Sequence, residues 1–264
     1  MQKLGQHFLR NAAINQKIVA ALALAKGDHI IEIGPGHGEL TVPLARTAQD
    51  NHREIVCIEK DHSLIEGLEL LAIKERTAAV IKIVEGDALK LLPDLMTAKS
   101  KIVGNIPYYI TGKLFRIMSE ADQRPERAVL LIQKEVAERL CAVPPAMNRL
   151  AASVQFWAEP ELLAVVPRKD FFPPPEVDSA AIILKNRVAT RPSIDPALYY
   201  RAVRAIFAQP RKTILNNLSA IAKNDSSKED IAKTMKAIGV DPGARPQDLD
   251  IDAIIAIAKA PLWG

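Results

Sequence analysis

Glu32, Gly34, Gly36, Gly38, Glu59 and Asp87 are the residues whose types and spacing first suggest chemistry. The apolar run Ile30-Ile31-Glu32-Ile33 ends in Gly34-Pro35-Gly36-His37-Gly38, and a helical pattern follows. That reads as a strand, a tight turn and a helix start. Glycines accept backbone angles closed to other residues and let a ligand approach the main chain closely. Residues 54–58 read as a second strand, with Glu59 just past its end. This is about 20 residues beyond the glycines, where nucleotide-binding βαβ units place an acid on ribose hydroxyls. Asp87 follows a third strand, in Glu85-Gly86-Asp87-Ala88. There it can accept from an adenine amino group, or cap the short helical segment 88–92, or both. A bound nucleoside is one reading of these residues. An ordinary βα turn with solvated acids at strand ends is the other.

The glycine pattern Gly34-x-Gly36-x-Gly38 is one residue tighter than the dinucleotide pattern. With Glu32 before it, Glu-x-Gly-x-Gly-x-Gly resembles the first motif of S-adenosylmethionine-dependent methyltransferases. Asn105-Ile106-Pro107-Tyr108-Tyr109, after a fourth strand, is the most specific pentapeptide in the chain. It resembles the Asn/Asp/Ser-Pro-Pro-Tyr loop of enzymes that methylate exocyclic amines of nucleobases. The chemistry explains the residue types. The adenine N6 lone pair is delocalised into the ring, so the amine is a poor nucleophile. Two acceptors, the Asn105 side-chain oxygen and a backbone carbonyl near Ile106, would bind its two hydrogens and free the lone pair. Proline stiffens the loop, and Tyr108 offers a face for an extruded base. The competing reading is a proline turn with a buried tyrosine. A second loop, Phe171-Phe172-Pro173-Pro174-Pro175-Glu176-Val177-Asp178-Ser179, carries further aromatics, and its three prolines argue against regular structure.

The elements that must position these residues follow from periodicity. Strands are predicted over 30–33, 54–58, 79–84, 101–104, 127–132, 162–166 and 180–184. Helices are predicted over 11–25, 61–76, 88–92, 110–121, 133–140 and 149–157, with Asn11 and Asp61 as N-caps of the first two. Alternating strands and helices imply an α/β domain with a mostly parallel, Rossmann-like sheet. From about residue 188 the pattern is helical only: 196–207, 211–222, 228–238 and 246–260. The domain boundary is placed in 186–193, which contains Arg187, Arg191 and Pro192. This gives a domain of residues 1–187 and a small all-helical C-terminal domain of residues 188–264.

The 264 residues are 48% hydrophobic, enough for a real core. Lys and Arg total 35 against 31 Asp and Glu, a net +4. Residues 188–264 hold 11 of the bases and 8 of the acids, so the small domain is +3 and the first 187 residues +1. This permits an anionic partner without demanding one. The sharper cluster is Arg204 with Arg211 and Lys212, at a helix junction; a solvated helix end is the competing reading. Cys57 and Cys141 are the two cysteines, too few for a zinc site or a disulfide framework. A reducing cytoplasm is expected. No signal peptide is evident, and the longest apolar run, 18–25, falls far short of a membrane span.

With Gly5-Gln6-His7-Phe8-Leu9, Gln133-Lys134-Glu135-Val136-Ala137 and Arg211-Lys212-Thr213 added, the chain resembles the ribosomal RNA adenine N6,N6-dimethyltransferases. It is similar above all to those acting on small-subunit rRNA. The resemblance runs from Gly5 to about Ser219. It implies a class I methyltransferase domain, S-adenosylmethionine as cofactor and no metal. The cofactor-binding residues it implies are His7, Leu9, Gly34, Gly36, Glu59, Asp87, Ala88 and Asn105. Asn105, Pro107 and Tyr108 match the catalytic loop, and Phe171 matches the second stacking aromatic. Arg211 and Lys212 are expected to touch RNA. The implied substrate is two adjacent adenosines in the 3′-terminal hairpin of small-subunit (16S) rRNA, each dimethylated during ribosome biogenesis. The implied partner is the immature 30S particle, met by a cytoplasmic monomer with no membrane association.

There are departures from the family pattern. His7 stands where members often have Asn. Met147-Asn148-Arg149-Leu150-Ala151-Ala152 stands where bacterial members commonly carry Tyr-Gly before Arg-Leu-Ser-Val. The chain begins almost at the first motif, so a basic N-terminal extension is not expected. A large-subunit rRNA adenine methyltransferase shares the first domain. The segment from Phe207 through Pro210-Arg211-Lys212-Thr213-Ile214 to Leu218 instead resembles the small-subunit enzymes. A non-catalytic assembly or transcription factor is disfavoured by the intact loop and acids. A DNA methyltransferase is disfavoured because no target-recognition domain is apparent.

Overall fold

The structure is a computed structural model that describes residues 6–49, 53–187, 194–220 and 227–263. Arg191 and Pro192, and the end of the helix predicted over 211–222, lie outside the described residues. Among the described residues nine strands occur: β1 (Phe8–Leu9), β2 (His29–Ile33), β3 (Ile55–Glu59), β4 (Ile81–Glu85), β5 (Ser100–Asn105), β6 (Arg127–Gln133), β7 (Ala158–Val166), β8 (Phe171–Phe172) and β9 (Ser179–Asn186). Seven form one sheet in the order β4-β3-β2-β5-β6-β9-β7, and β1 pairs with β8 in a separate ribbon. β2, β3, β4, β5 and β6 run parallel, while β9 lies antiparallel to β6. The mixed, mostly parallel sheet matches the predicted class.

The strand order positions the site. From β2 the chain steps to β3 and then β4 on one side, and afterwards crosses to β5 on the other side of β2. In open α/β sheets, ligands sit at such a switch point, outside the carboxyl ends of the strands. Here those ends are Gly34, Glu59, Gly86-Asp87 and Asn105. Gly104 lets β5 approach β2 closely, since a Cβ there would lie 2.4 Å from the Ile33 carbonyl oxygen.

Backbone contacts divide the chain into two compact units. The first comprises Met1–Glu138 and Glu159–Asn186. It contains α1 (Ala12–Ala21), α2 (Thr41–Gln49), α3 (His62–Lys74), α4 (Ala88–Leu95) and α5 (Thr111–Glu120). Asn11 and Asp61 cap α1 and α3 as predicted, accepting from the Ile14 and Ser63 amides. The core packs Ile18, Leu22 and Leu44 of the helix layer against Ile30, Ile55, Val103, Val129 and Ala181 of the strands. β3 is buried along its whole length, consistent with a parallel strand covered on both faces.

The second unit comprises Arg139–Ala158 and Arg187–Gly264. α6 (Lys134–Leu140) ends in it, and it holds α7 (Arg149–Gln155), α8 (Pro196–Ile206), α9 (Ile214–Ser219), α10 (Lys228–Ala237) and α11 (Ile251–Lys259). One seam between the units falls between Asn186 and Arg187. Segment 139–158, which precedes that boundary in sequence, nevertheless belongs here. Phe156 stacks on Tyr199 at 3.9 Å, and the Tyr199 hydroxyl donates to the Ala152 carbonyl at 2.8 Å. The Arg187 amide donates to the Trp157 carbonyl at 2.7 Å. Buried aromatic packing, invisible to sequence order, sets the assignment.

Candidate active site

At the end of β3, Glu59 is 3% exposed and lines the cleft. Three backbone amides hold its carboxylate: Gly36 donates to Oε2 at 3.1 Å, and Lys60 and Asp61 each donate to Oε1 at 2.8 Å. One side chain thus fixes the glycine turn and the start of α3 together. Gly36 has a φ of 60° and must lack a side chain, because a Cβ there would meet the Phe8 ring at 2.8 Å. Phe8 in turn packs its ring 4.3 Å from that of His37.

Asp87, past β4, caps α4 by accepting from the Leu89 amide at 3.0 Å. Its other oxygen pairs with the Lys60 ammonium at 3.0 Å. That bond lowers the Asp87 pKa and raises that of Lys60. Beneath the turn, Glu32 is fully buried, and its Oε2 accepts from the Cys57 thiol at 3.4 Å. Burial pushes the Glu32 carboxyl up to about 7.

Asn105 ends β5. Its side-chain nitrogen donates to the His7 carbonyl at 2.6 Å. The His7 ring makes a second tether, with Nδ1 2.8 Å from the Pro173 carbonyl. A carbonyl only accepts, so Nδ1 carries the proton. The two-stranded ribbon continues this strap, with Phe8 opposite Phe172 and Leu9 opposite Phe171. The Arg10 amide donates to the Asp170 carbonyl, and the Asn11 side chain donates to the Asp170 carboxylate, both at 2.8 Å. Pro107 leads into a 3-10 turn, Tyr108–Ile110. The Tyr108 hydroxyl lies 2.7 Å from Ser179 Oγ, at the start of β9. Burial raises the Tyr108 phenol pKa. Tyr109 is 59% exposed.

His7, Gly34, Gly36, Glu59, Asp87, Ala88, Asn105, Pro107 and Tyr108 line one cleft of about 830 Å³, part of it open to solvent. Leu9 and Phe171 do not line it. Each is 4% exposed and packed into the core. Opposite each other across the ribbon, they share its inward face, so Phe171 does not offer the cleft a stacking surface. Period-two alternation turns Phe172 outward instead, 56% exposed. Arg211 and Lys212 are exposed in the second unit, in the turn before α9 rather than on the helix as predicted. Sequence reasoning missed Lys60, Ser179 and the Phe8 ring. Lys60 follows a candidate acid, but nothing in the sequence ties it to Asp87.

The family model for ribosomal RNA adenine dimethylase matches residues 1–260. The chain belongs to that family. The ribosomal RNA small subunit methyltransferase A of Dehalococcoides mccartyi is 35% identical over 94% of this chain and 84% of its own. The protein of that name from Caldanaerobacter subterraneus is 36% identical over 98% and 96%. Among solved structures, a dimethyladenosine transferase from Plasmodium falciparum has a TM-score of 0.80 at 25% identity, covering 95% of this chain and 96% of that one. The 23S rRNA methyltransferase ErmE has a TM-score of 0.72 at 25% identity, covering 96% and 98%. This dimethylase-family chain is therefore an rRNA adenine N6-methylating enzyme that depends on S-adenosylmethionine. The cleft fits that cofactor: a backbone-held carboxylate, glycines without side chains and a second acid meet at the switch point.

Proposed function

We propose that this cleft dimethylates N6 of two adjacent adenosines in the 3′-terminal hairpin of small-subunit rRNA, on the immature 30S particle. The enzyme acts as a monomer in the cytoplasm. The observation that carries the chemistry is the Asn105 amide, oriented by its bond to the His7 carbonyl. With the NH₂ spent on His7, Oδ1 is left as an acceptor. It takes one hydrogen of the adenine amine, and a backbone carbonyl near Ile106 takes the other. The nitrogen lone pair is thereby withdrawn from the ring and aimed. No tuned base is called for, because the amine becomes acidic only once alkylated and its proton passes to solvent.

S-adenosylmethionine, when bound, supplies a methyl carbon made electrophilic by the adjacent sulfonium. Glu59 is assigned its ribose hydroxyls and Asp87 with Ala88 its adenine. His7, Gly34, Gly36 and Asn105 border its methionine part. Pro107 stiffens the loop, and Tyr108, fixed at its hydroxyl by Ser179, presents a face to the flipped base. Leu9 and Phe171 support the strap from below. Arg211 and Lys212 give the helical domain a grip on rRNA phosphates. The small-subunit target is supported by relatives named ribosomal RNA small subunit methyltransferase A at 35–36% identity. Labelled methyl donor with unmethylated 30S and 50S particles, followed by nucleotide mapping, tests the assignment. Label in dimethyladenosine at the adjacent pair of 16S rRNA is the expected result. Label confined to 50S particles favours the large-subunit reading.

A further inference from the structure

Phe172 is a large apolar ring, 56% exposed, on the outward face of the β1–β8 ribbon. A single exposed hydrophobic residue needs no explanation. Three further observations set this one apart. Its cross-strand partner, Phe8, lines the cleft, and the next residue, Pro173, holds His7 at the cleft wall. The guanidinium carbon of Arg10 lies 4.1 Å from the Phe172 ring centroid. Arg10 is exposed, and beside this ring its charge acts on the Glu39 carboxyl, whose pKa burial raises and Arg10 lowers. A planar cation and an aromatic ring are thus stacked beside a cleft whose substrate is a polyanion of stackable bases.

We propose that Arg10 and Phe172 form a stacking platform for the adenine next to the one in the cleft. Flipping a base out of a hairpin uncovers one face of its neighbour, at a cost in stacking energy. Aromatic rings and arginine planes are the surfaces on which proteins restack such single-stranded bases. The guanidinium also faces the phosphate between the two nucleotides with complementary charge. The proposal rests on the reading that two adjacent adenosines are the targets. The platform then takes whichever adenine is not being methylated, and keeps the pair engaged while the enzyme exchanges one target for the other.

The test measures affinity for unmethylated 30S particles by filter binding. Phe172→Ala is expected to weaken binding roughly 5- to 100-fold, the range seen when a stacking partner is removed. Phe172→Trp is expected to restore affinity to within about twofold, because any aromatic plane stacks. Phe172→Leu, which keeps the apolar bulk, is expected to behave like alanine, and it keeps the test valid if Phe172→Ala fails to fold. On particles reconstituted with an abasic second adenosine, wild type and Phe172→Ala should bind within about twofold of each other. Full affinity in Phe172→Leu, or a penalty for Phe172→Ala that persists on the abasic particle, would overturn the platform. Wild-type methylation in the same preparation separates the two ideas. If wild type methylates the pair while the Phe172 variants bind normally, the platform alone fails. If wild type methylates neither adenosine, the target assignment fails and the platform with it.

Discussion

The side-chain nitrogen of Asn105 sits 2.6 Å from the carbonyl oxygen of His7, 98 positions earlier in the chain. The contact decides which way the amide faces, because a carbonyl oxygen cannot donate. Oδ1 therefore points away from the strap. Asn105→Asp tests this directly. A carboxylate places an acceptor against an acceptor and loses the tether. The variant should lose about 1–3 kcal/mol of stability near neutral pH. Its deficit should shrink at low pH, where a protonated acid donates again. Urea unfolding of wild type and variant across pH checks both.

Glu59 serves fold and ligand together. Glu59→Ala strips the acceptor from three backbone amides and from the assigned ribose hydroxyls. Calorimetry should show S-adenosylmethionine affinity weakened by about 1.5–3 kcal/mol. Unchanged affinity would remove Glu59 from the site. Wild-type activity should survive EDTA, since no step assigned here uses a metal.

Glu32 makes stability depend on pH. Burial raises its folded pKa from 4.5 to about 7. The folded state therefore holds a proton that the unfolded chain releases, and stability falls as pH rises from about 4.5 through 7. The shift corresponds to roughly 3 kcal/mol. Glu32→Gln removes the titration, so the wild type should lose stability relative to that variant between pH 5 and 8. Parallel stability curves would refute a protonated Glu32.

Arg211 and Lys212 project from a turn stapled by buried Asn217. Its side-chain nitrogen reaches the Gln209 carbonyl at 3.1 Å, and its oxygen accepts from the Gln209 amide at 2.9 Å. If both cations touch phosphate, the double alanine variant should lower the slope of log affinity for 30S particles against log salt by up to about two units. An unchanged slope would make the cluster a solvated turn.

Much of this was legible in the sequence because short-range rules govern it. The glycine turn, the acids at strand ends and the caps at Asn11, Asp61 and Asp87 are local, and each appears where periodicity placed it. The ribbon of β1 and β8 was not legible. Two-residue strands carry no period, and their pairing joins positions more than 160 residues apart. The resemblance alone assigns the second stacking ring to Phe171, and the ribbon register that buries Phe171 and turns Phe172 outward has no local signal in the sequence. The helix predicted over 211–222 begins later for a local reason that was missed. Thr213 caps it by accepting from the Asn216 amide, leaving Arg211 and Lys212 in the turn. Likewise, the segment 246–260 splits into a 3-10 turn and α11, because Asp250 caps a new start.

Single-turnover methylation of unmethylated 30S particles by wild type and Asn105→Ala, at saturating S-adenosylmethionine, isolates the contribution of Asn105 to methyl transfer. Asn105 Oδ1 binds the amine more strongly as N6 gains positive charge, so its loss should fall on the transfer step. The expected rate is about 10²–10³-fold below wild type. A near-normal rate in Asn105→Ala would contradict it, because the loop would then not be performing the chemistry assigned to it.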